Sequence, residues 1–265
     1  MAETALITGA SAGLGLEFAR LFAADKQDLV LVARRKDRLD ALAAELSAAH
    51  GIRVHVIAAD LMDPAAPEAI LAQVKRLGLA IDTLVNNAGF GAAGPLAQMD
   101  AAKVLGQVQV NVTALVVLTR GLLPDMVARG RGRIFNIGST AGFQPGPYMA
   151  VYYATKAFVN SFTEALWFEL KGTGVTATVS CPGATATEFA GVAGTDKSNL
   201  FKKTVMGAAL VARQGYDSMR SGKPVIIHGF KNRFLAWSVG WLPRGPVLAA
   251  TAKLNQSSAT SAPKA

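Results

Sequence analysis

The chain has 265 residues, 51% of them apolar and only 17% charged, which admits one large domain or two small ones around a sizeable core. A single cysteine, Cys181, excludes an intramolecular disulfide and fits a reducing compartment. The net charge of +9 is lopsided: residues 1–196 hold 16 Lys/Arg against 17 Asp/Glu, whereas 197–265 hold 11 against Asp217 alone. A solvated basic surface is the plain reading of that imbalance, and an acidic substrate or an anionic membrane surface the sharper one. A nucleic-acid role is set aside, because the basic residues lie among apolar elements and not in one compact patch. The opening MAETALITGA has no basic region followed by an apolar run, so no signal peptide is expected. Without a stretch of 18 apolar residues, no membrane span is expected either.

The first predicted element is a short buried strand, TALITG, followed by a helix, LGLEFARLFAAD. Between them Gly9, Ser11, Gly13, Leu14 and Gly15 form a turn with the spacing G-x-x-x-G-x-G. Glycine lets the backbone turn tightly and approach a ligand, and the free N–H groups at a helix start favour a pyrophosphate. The second strand, DLVLVAR, ends in Ala33, Arg34 and Arg35. A carboxylate there would bind a ribose 2′-hydroxyl, whereas arginine favours a 2′-phosphate, so NADP(H) is expected over NAD(H). An amphipathic helix, DRLDALAAELSAAHG, closes on glycine. The third strand, RVHVIAAD, leads into Asp60 and Leu61, with Asp60 placed to accept from an adenine amino group.

PEAILAQVKRLG is a helix, and DTLVNNAG a fourth strand with its loop. Asn87, Ala88 and Gly89 stand at that strand's carboxyl end, where open α/β sheets bind ligands. A long helical region covers 101–129 and holds Asn111 among apolar residues. A buried amide needs partners, so Asn111 either kinks the helix or anchors a water chain. The fifth strand, GRIFNIGS, ends at Ser139, which is either a turn residue or a donor to a substrate oxygen. In the helix YYATKAFVNSFTEALWFELKG, Tyr152 and Lys156 are four apart and share a face, and Tyr153 and Lys156, three apart, share one too. An ammonium beside a phenol favours the phenolate, which would tune a tyrosine toward acid–base work near neutral pH. The spacing leaves the choice of tyrosine open. A sixth strand, VTATVSCPG, ends in Pro182 and Gly183, and after a loop and a helix KPVIIHG is the seventh. Strands alternating with helices make an α/β protein with a doubly wound parallel sheet of about seven strands.

In this order, TGASAGLG, NNAG, Asn111, Ser139, YYATK and PGATAT resemble a short-chain dehydrogenase/reductase over residues 4–228. The resemblance implies a single Rossmann-type domain, NADP(H), and the interconversion of a ketone and a secondary alcohol. Its Y-x-x-x-K pattern selects Tyr152 as general acid/base. By the same resemblance Ser139 orients and polarises the substrate oxygen, Lys156 lowers the tyrosine pKa and holds the nicotinamide ribose, and Asn111 supports the proton relay. Pro182 and Gly183 shape the nicotinamide pocket, with Thr185 and Thr187 near the carboxamide. A homodimer or homotetramer and a cytoplasmic location are further expectations. A non-catalytic NADP-binding sensor is the rival reading. Ala12 departs from the pattern, since many NADP-using relatives carry a basic residue in the glycine turn; Arg34 and Arg35 must then hold the phosphate alone.

Phe90, the segment 141–149 and the segment 187–194 flank the expected pocket with aromatic and apolar residues and no Arg or Lys, which suits a hydrophobic carbonyl or alcohol substrate. Residues 1–229 are read as the dinucleotide-binding and catalytic domain, 230–253 as a helical extension and 254–265 as a disordered tail. In the extension Phe230, Phe234, Trp237 and Trp241 repeat on one helix face. That stripe packs on the core or a sister subunit in the first reading. In the second it is a lid, or a surface docked on lipid with help from Lys231, Arg233 and Arg244.

Overall fold

The computed structural model describes residues 2–194 and 205–256. Its strands are β1 (Thr4–Thr8), β2 (Asp28–Ala33), β3 (Val54–Ala58), β4 (Thr83–Asn86), β5 (Gly132–Ile137), β6 (Val175–Cys181), β7 (Thr185–Ala186), β8 (Met206–Gly207) and β9 (Val225–Ile227). Seven of them form one parallel sheet in the order β3-β2-β1-β4-β5-β6-β9.

The register follows from side chains alternating between two covered faces. Ala5 and Ile7 of β1 join Leu29, Leu31, Val85 and Phe135 in one core layer. Leu6, between them, joins Val30, Val32, Leu84 and Ile134 in the other. The first layer is closed by α1 (Gly13–Ala24), α2 (Lys36–His50) and α8 (Ala208–Arg220), through Phe18, Phe22, Leu39 and Tyr216. The second is closed by α3 (Ala66–Arg76), α5 (Ala114–Ala128) and α6 (Ala150–Glu169), with α4 (Ala101–Val108) leading into α5. This is the doubly wound α/β architecture expected. The chain runs outward from β1 to β3 and then crosses back to β4, so β1 and β4 border the switch point where such sheets open a crevice at their carboxyl ends.

Three details differ from the sequence expectation. The 101–128 run is long and apolar enough, by length and composition, to cross a membrane, with a mean hydropathy of 1.5. Here Val110, Ala114, Leu118, Leu122 and Met126 pack it onto the sheet. It is also interrupted by a π-helical turn, Gln109–Thr113, which contains Asn111. Second, β7 and β8 form a small separate parallel pair, Thr185 opposite Met206. It precedes and follows α7 (Phe189–Ala193), and its two-residue strands are too short for a periodicity to reveal. Third, the extension folds as α9 (Phe230–Val239) and α10 (Arg244–Asn255), and α10 runs on past 253. Val247, Thr251 and Asn255 bury its inner face, so the expected disordered tail does not begin at 254. The rest of that tail, 257–265, lies outside the described residues.

Candidate active site

The turn after β1 carries Gly9 at φ 68° and Gly13 at φ 56°, left-handed values that suit glycine. At Gly15 a Cβ would lie 2.3 Å from the Gly9 carbonyl oxygen, so the turn closes on itself only with glycine there. No side chain caps α1, and its first N–H groups remain available to a ligand. Asn87 ties the end of β4 to this turn: its Nδ2 donates to the Thr8 carbonyl at 2.9 Å. Thr8 Oγ1 in return accepts from the N–H groups of Asn87 and Ala88, both at 3.0 Å. Asn86, one residue earlier, points into the sheet instead, donating to Thr119 Oγ1 and Asn136 Oδ1.

One cavity of about 650 Å³ extends from this turn past the end of β2 to α6. Gly9, Ser11, Gly13, Leu14, Asp60, Leu61, Asn87, Ala88 and Gly89 all line it. So do Arg34 and Arg35 at one end and Ser139, Tyr152, Lys156, Pro182, Gly183, Thr185 and Thr187 at the other. Asp60 is exposed and accepts from the Met62 N–H at 3.0 Å. Thr187 packs over Gly13, where a Cβ would approach its side chain to 3.2 Å. Thr185 is buried and donates to the Gly183 carbonyl at 3.1 Å.

At the arginine end the structure adds two residues that the sequence reading did not single out. Arg35 Nη2 donates to Ser11 Oγ at 3.2 Å and to Glu188 Oε2 at 2.9 Å. Arg38 Nη1 donates to the other oxygen, Glu188 Oε1, at 2.8 Å. Glu188 therefore occupies two guanidinium groups at the rim where a 2′-phosphate is expected. Its hydrogen bonds from Arg38 and Arg35 hold the carboxyl below the ordinary glutamate range. Glu188 comes from the start of α7, 150 positions from Arg38 in the chain, and no local pattern announces the pairing.

At the other end the two tyrosines part company. Tyr153 Oη donates to Asn255 Oδ1 at 3.0 Å, and Asn255 Nδ2 donates to the Pro147 carbonyl at 2.9 Å. The helix α10 thus holds the Tyr153 hydroxyl in a structural contact. Tyr152 instead lines the cavity together with Ser139, whose Oγ donates to the Pro182 carbonyl at 3.4 Å. Ser139 Oγ also accepts from the Ala141 N–H at 3.0 Å, which fixes the turn after β5. Phe189 of α7 packs on the Tyr152 ring, with centroids 5.2 Å apart.

The expected effect of Lys156 on its tyrosine is not what this geometry gives. Lys156 Nζ lies 5.9 Å from the Tyr152 ring centroid and donates to the Ile137 carbonyl at 2.6 Å. Burial pushes the Tyr152 phenol well above the usual tyrosine value, and the neighbouring Ser139 hydroxyl only partly opposes this. Burial also lowers Lys156 to about 8. Desolvation of both groups outweighs their mutual field, so Tyr152 is a neutral proton donor at pH 7 in this state.

Asn111 neither kinks the helix freely nor touches Lys156 directly. Its Oδ1 accepts from the Phe90 N–H at 3.0 Å, and its Nδ2 donates to the Phe90 carbonyl at 2.9 Å and to Thr155 Oγ1 at 3.0 Å. Thr155 Oγ1 donates in turn to the Tyr152 carbonyl at 2.7 Å. The π-helical turn thereby clamps the strand-four loop to the helix that bears Tyr152. Asn160, also unpredicted, donates to the Ser139 carbonyl at 3.2 Å from one turn beyond Lys156. Thr155 and Asn160 stand at i+3 and i+8 from Tyr152, a helical spacing that marks a buried face but does not name a partner. His228, given no chemistry from sequence, is buried between Ser180 Oγ (2.8 Å) and Gln214 Oε1 (3.0 Å). Burial lowers its pKa to about 4.

These features agree with what known proteins show. A family model described as short chain dehydrogenase matches residues 3–198. Sulfoacetaldehyde reductase 2 of Chromohalobacter salexigens is 41% identical over 191 residues, 71% of this chain and 75% of the relative. A short-chain dehydrogenase from Sphingobium yanoikuyae in complex with NADPH has a TM-score of 0.82 and 37% identity, covering 90% of this chain and 93% of that one. The bulky-bulky ketone specific alcohol dehydrogenase from Comamonas testosteroni has a TM-score of 0.77 and 30% identity, covering 98% and 99%. With this match over most of its length, on a fold and cavity of the same kind, the chain belongs to the short-chain dehydrogenase family, and it is an oxidoreductase acting on CH–OH groups.

Proposed function

We propose that this chain is an NADP(H)-dependent reductase of hydrophobic ketones, and in the reverse direction a dehydrogenase of the matching secondary alcohols. The observation that carries the reading is one continuous cavity that has Ser139, Tyr152 and Lys156 at its apolar end and Ser11, Arg34 and Arg35 at the other. The residues fit the cofactor. Ala33 and Arg34 stand where an NAD-binding carboxylate would be, the glycine turn leaves backbone N–H groups for the pyrophosphate, and the cavity is continuous to Tyr152. The NADPH complex of the Sphingobium relative supports the same assignment.

When bound, the cofactor supplies the hydride. Ser139 donates a hydrogen bond to the carbonyl oxygen and polarises it. Tyr152, kept protonated by burial, gives its proton to that oxygen as charge develops there. Lys156, near 8, is mostly cationic at pH 7, and its charge favours the transient phenolate that Tyr152 becomes. Asn111 and Asn160 are positioning residues: one sets the Tyr152 helix against Phe90, the other sets the Ser139 backbone.

Around the tyrosine the wall is Phe90, Ala141, Met149, Phe189, Val192 and Leu254. Apolar surface without a guanidinium favours a bulky ketone over a sulfonated aldehyde, whose anion would need a cation beside it. Exposed Leu105, Phe158 and Phe168 on α4 and α6 support a homo-oligomer joined through those helices. The test is NADPH oxidation by purified protein on bulky aliphatic, cyclic and aromatic ketones, with sulfoacetaldehyde alongside. Faster turnover of the bulky ketones is expected; no turnover of any ketone, with NADPH bound tightly, would favour the sensor reading.

A further inference from the structure

We propose that the aromatic ridge of α9 and the turn after it docks on an anionic lipid bilayer. Phe230, Phe234, Trp237 and Trp241 are 82%, 57%, 64% and 79% exposed, with Leu235 and Leu242 over half exposed beside them. The rings adjoin, Phe234 to Trp237 at 6.1 Å and Trp237 to Trp241 at 6.3 Å, so the apolar surface is continuous. A contiguous patch of this kind on a folded chain marks a contact surface.

The ridge belongs to an anchored element. Asn232, on the inner side of α9, donates to the His228 carbonyl at 2.8 Å and packs on Gly183, where a Cβ would meet its Nδ2 at 2.6 Å. The following helix is tied down through Asn255. The stripe itself does not pack on the core, as the first reading had it: its four rings face outward, and Asn232 makes the contact on the inner side.

Charge selects the occupant. Between Met219 and Gln256 the sequence has no Asp or Glu, while Lys231, Arg233 and Arg244 flank the ridge. A second copy laid on this face by a two-fold axis would oppose like charges with no acid to pair them. An occupant that is anionic at its surface and apolar beneath is a lipid bilayer. Tryptophan seats at the headgroup level, Phe and Leu enter the acyl boundary, and Lys and Arg meet lipid phosphates. The same α9 borders Gly183, and Leu254 of α10 lines the catalytic cavity, so docking brings the cavity mouth toward a membrane-dissolved substrate.

The full chain is sedimented with vesicles of phosphatidylcholine alone and of equimolar phosphatidylcholine and phosphatidylglycerol, at low and high salt, with tryptophan emission recorded. Binding to the anionic vesicles, weakened by salt and accompanied by a blue shift, is expected. Trp237→Ser with Trp241→Ser, and separately Lys231→Glu with Arg233→Glu, should each weaken it about tenfold while NADPH affinity and circular dichroism stay unchanged. All four residues are exposed, so folding is not at stake. Absence of binding to anionic vesicles overturns the proposal. So does a dimer, seen by light scattering, that the tryptophan variant alone dissolves.

Discussion

Replacing Glu188 with Gln removes the carboxylate that holds Arg35 and Arg38. The two pairs are short, 2.9 and 2.8 Å, but the side chains are exposed, 51% for Glu188 against 39% and 47% for the arginines. Exposed pairs contribute about 0.2–1 kcal/mol each, so displacing both costs about 1 kcal/mol, a factor of about five in an equilibrium constant. A 2′-phosphate entering between those arginines must displace Glu188, since a carboxylate and a phosphate dianion repel at that range. NADH lacks that phosphate and has no need to displace it. Glu188→Gln is therefore predicted to tighten NADPH about fivefold and leave NADH unchanged, measured by fluorescence titration, with 2′,5′-ADP and 5′-AMP as the corresponding fragments. The gain should shrink in high salt. Equal effects on NADPH and NADH, or none on either, would show that Glu188 does not stand in the phosphate's place.

Lys156, lowered to about 8, sets a pH limit on ketone reduction. Its cation is present below that value and lost above it, so kcat/KM for the ketone should fall as pH rises past about 8; a flat profile to pH 9.5 would contradict this. His228, depressed to about 4 by burial, stays neutral in the fold while the unfolded chain takes up a proton near 6.5. Stability is then fully present above the unfolded value and lost as pH falls toward about 4, a slope in urea midpoints that His228→Gln should reduce. Asn111→Ala strands the Phe90 N–H and carbonyl and is predicted to cost about 3 kcal/mol in urea unfolding, well beyond the roughly 1 kcal/mol of Tyr153→Phe.

The sheet was legible because strands covered on both faces are nearly continuous apolar runs, such as Leu29–Val32, separated by amphipathic helices. The glycine turn and the set Asn111, Ser139, Tyr152 and Lys156 were legible as ordered motifs. What escaped is tertiary. Asn255 of α10 takes the Tyr153 hydroxyl, which distinguishes two tyrosines that spacing alone leaves equivalent. Glu188 reaches back over the glycine turn to Arg35 and Arg38. The direction of the Tyr152 shift is not legible in sequence, where a charge partner is visible but depth of burial is not. The π-helical turn at Asn111 follows no period that a helix or strand template would detect.

Tyr152, and not its neighbour, delivers the proton in the proposed reaction. The most direct measurement is the rate of NADPH oxidation with a bulky ketone by the wild type, Tyr152→Phe and Tyr153→Phe, each with its NADPH affinity measured separately. Tyr152→Phe should bind NADPH normally and lose at least about a hundredfold in kcat, while Tyr153→Phe keeps most of its turnover. Equal losses in both variants, or turnover surviving in Tyr152→Phe, would contradict it.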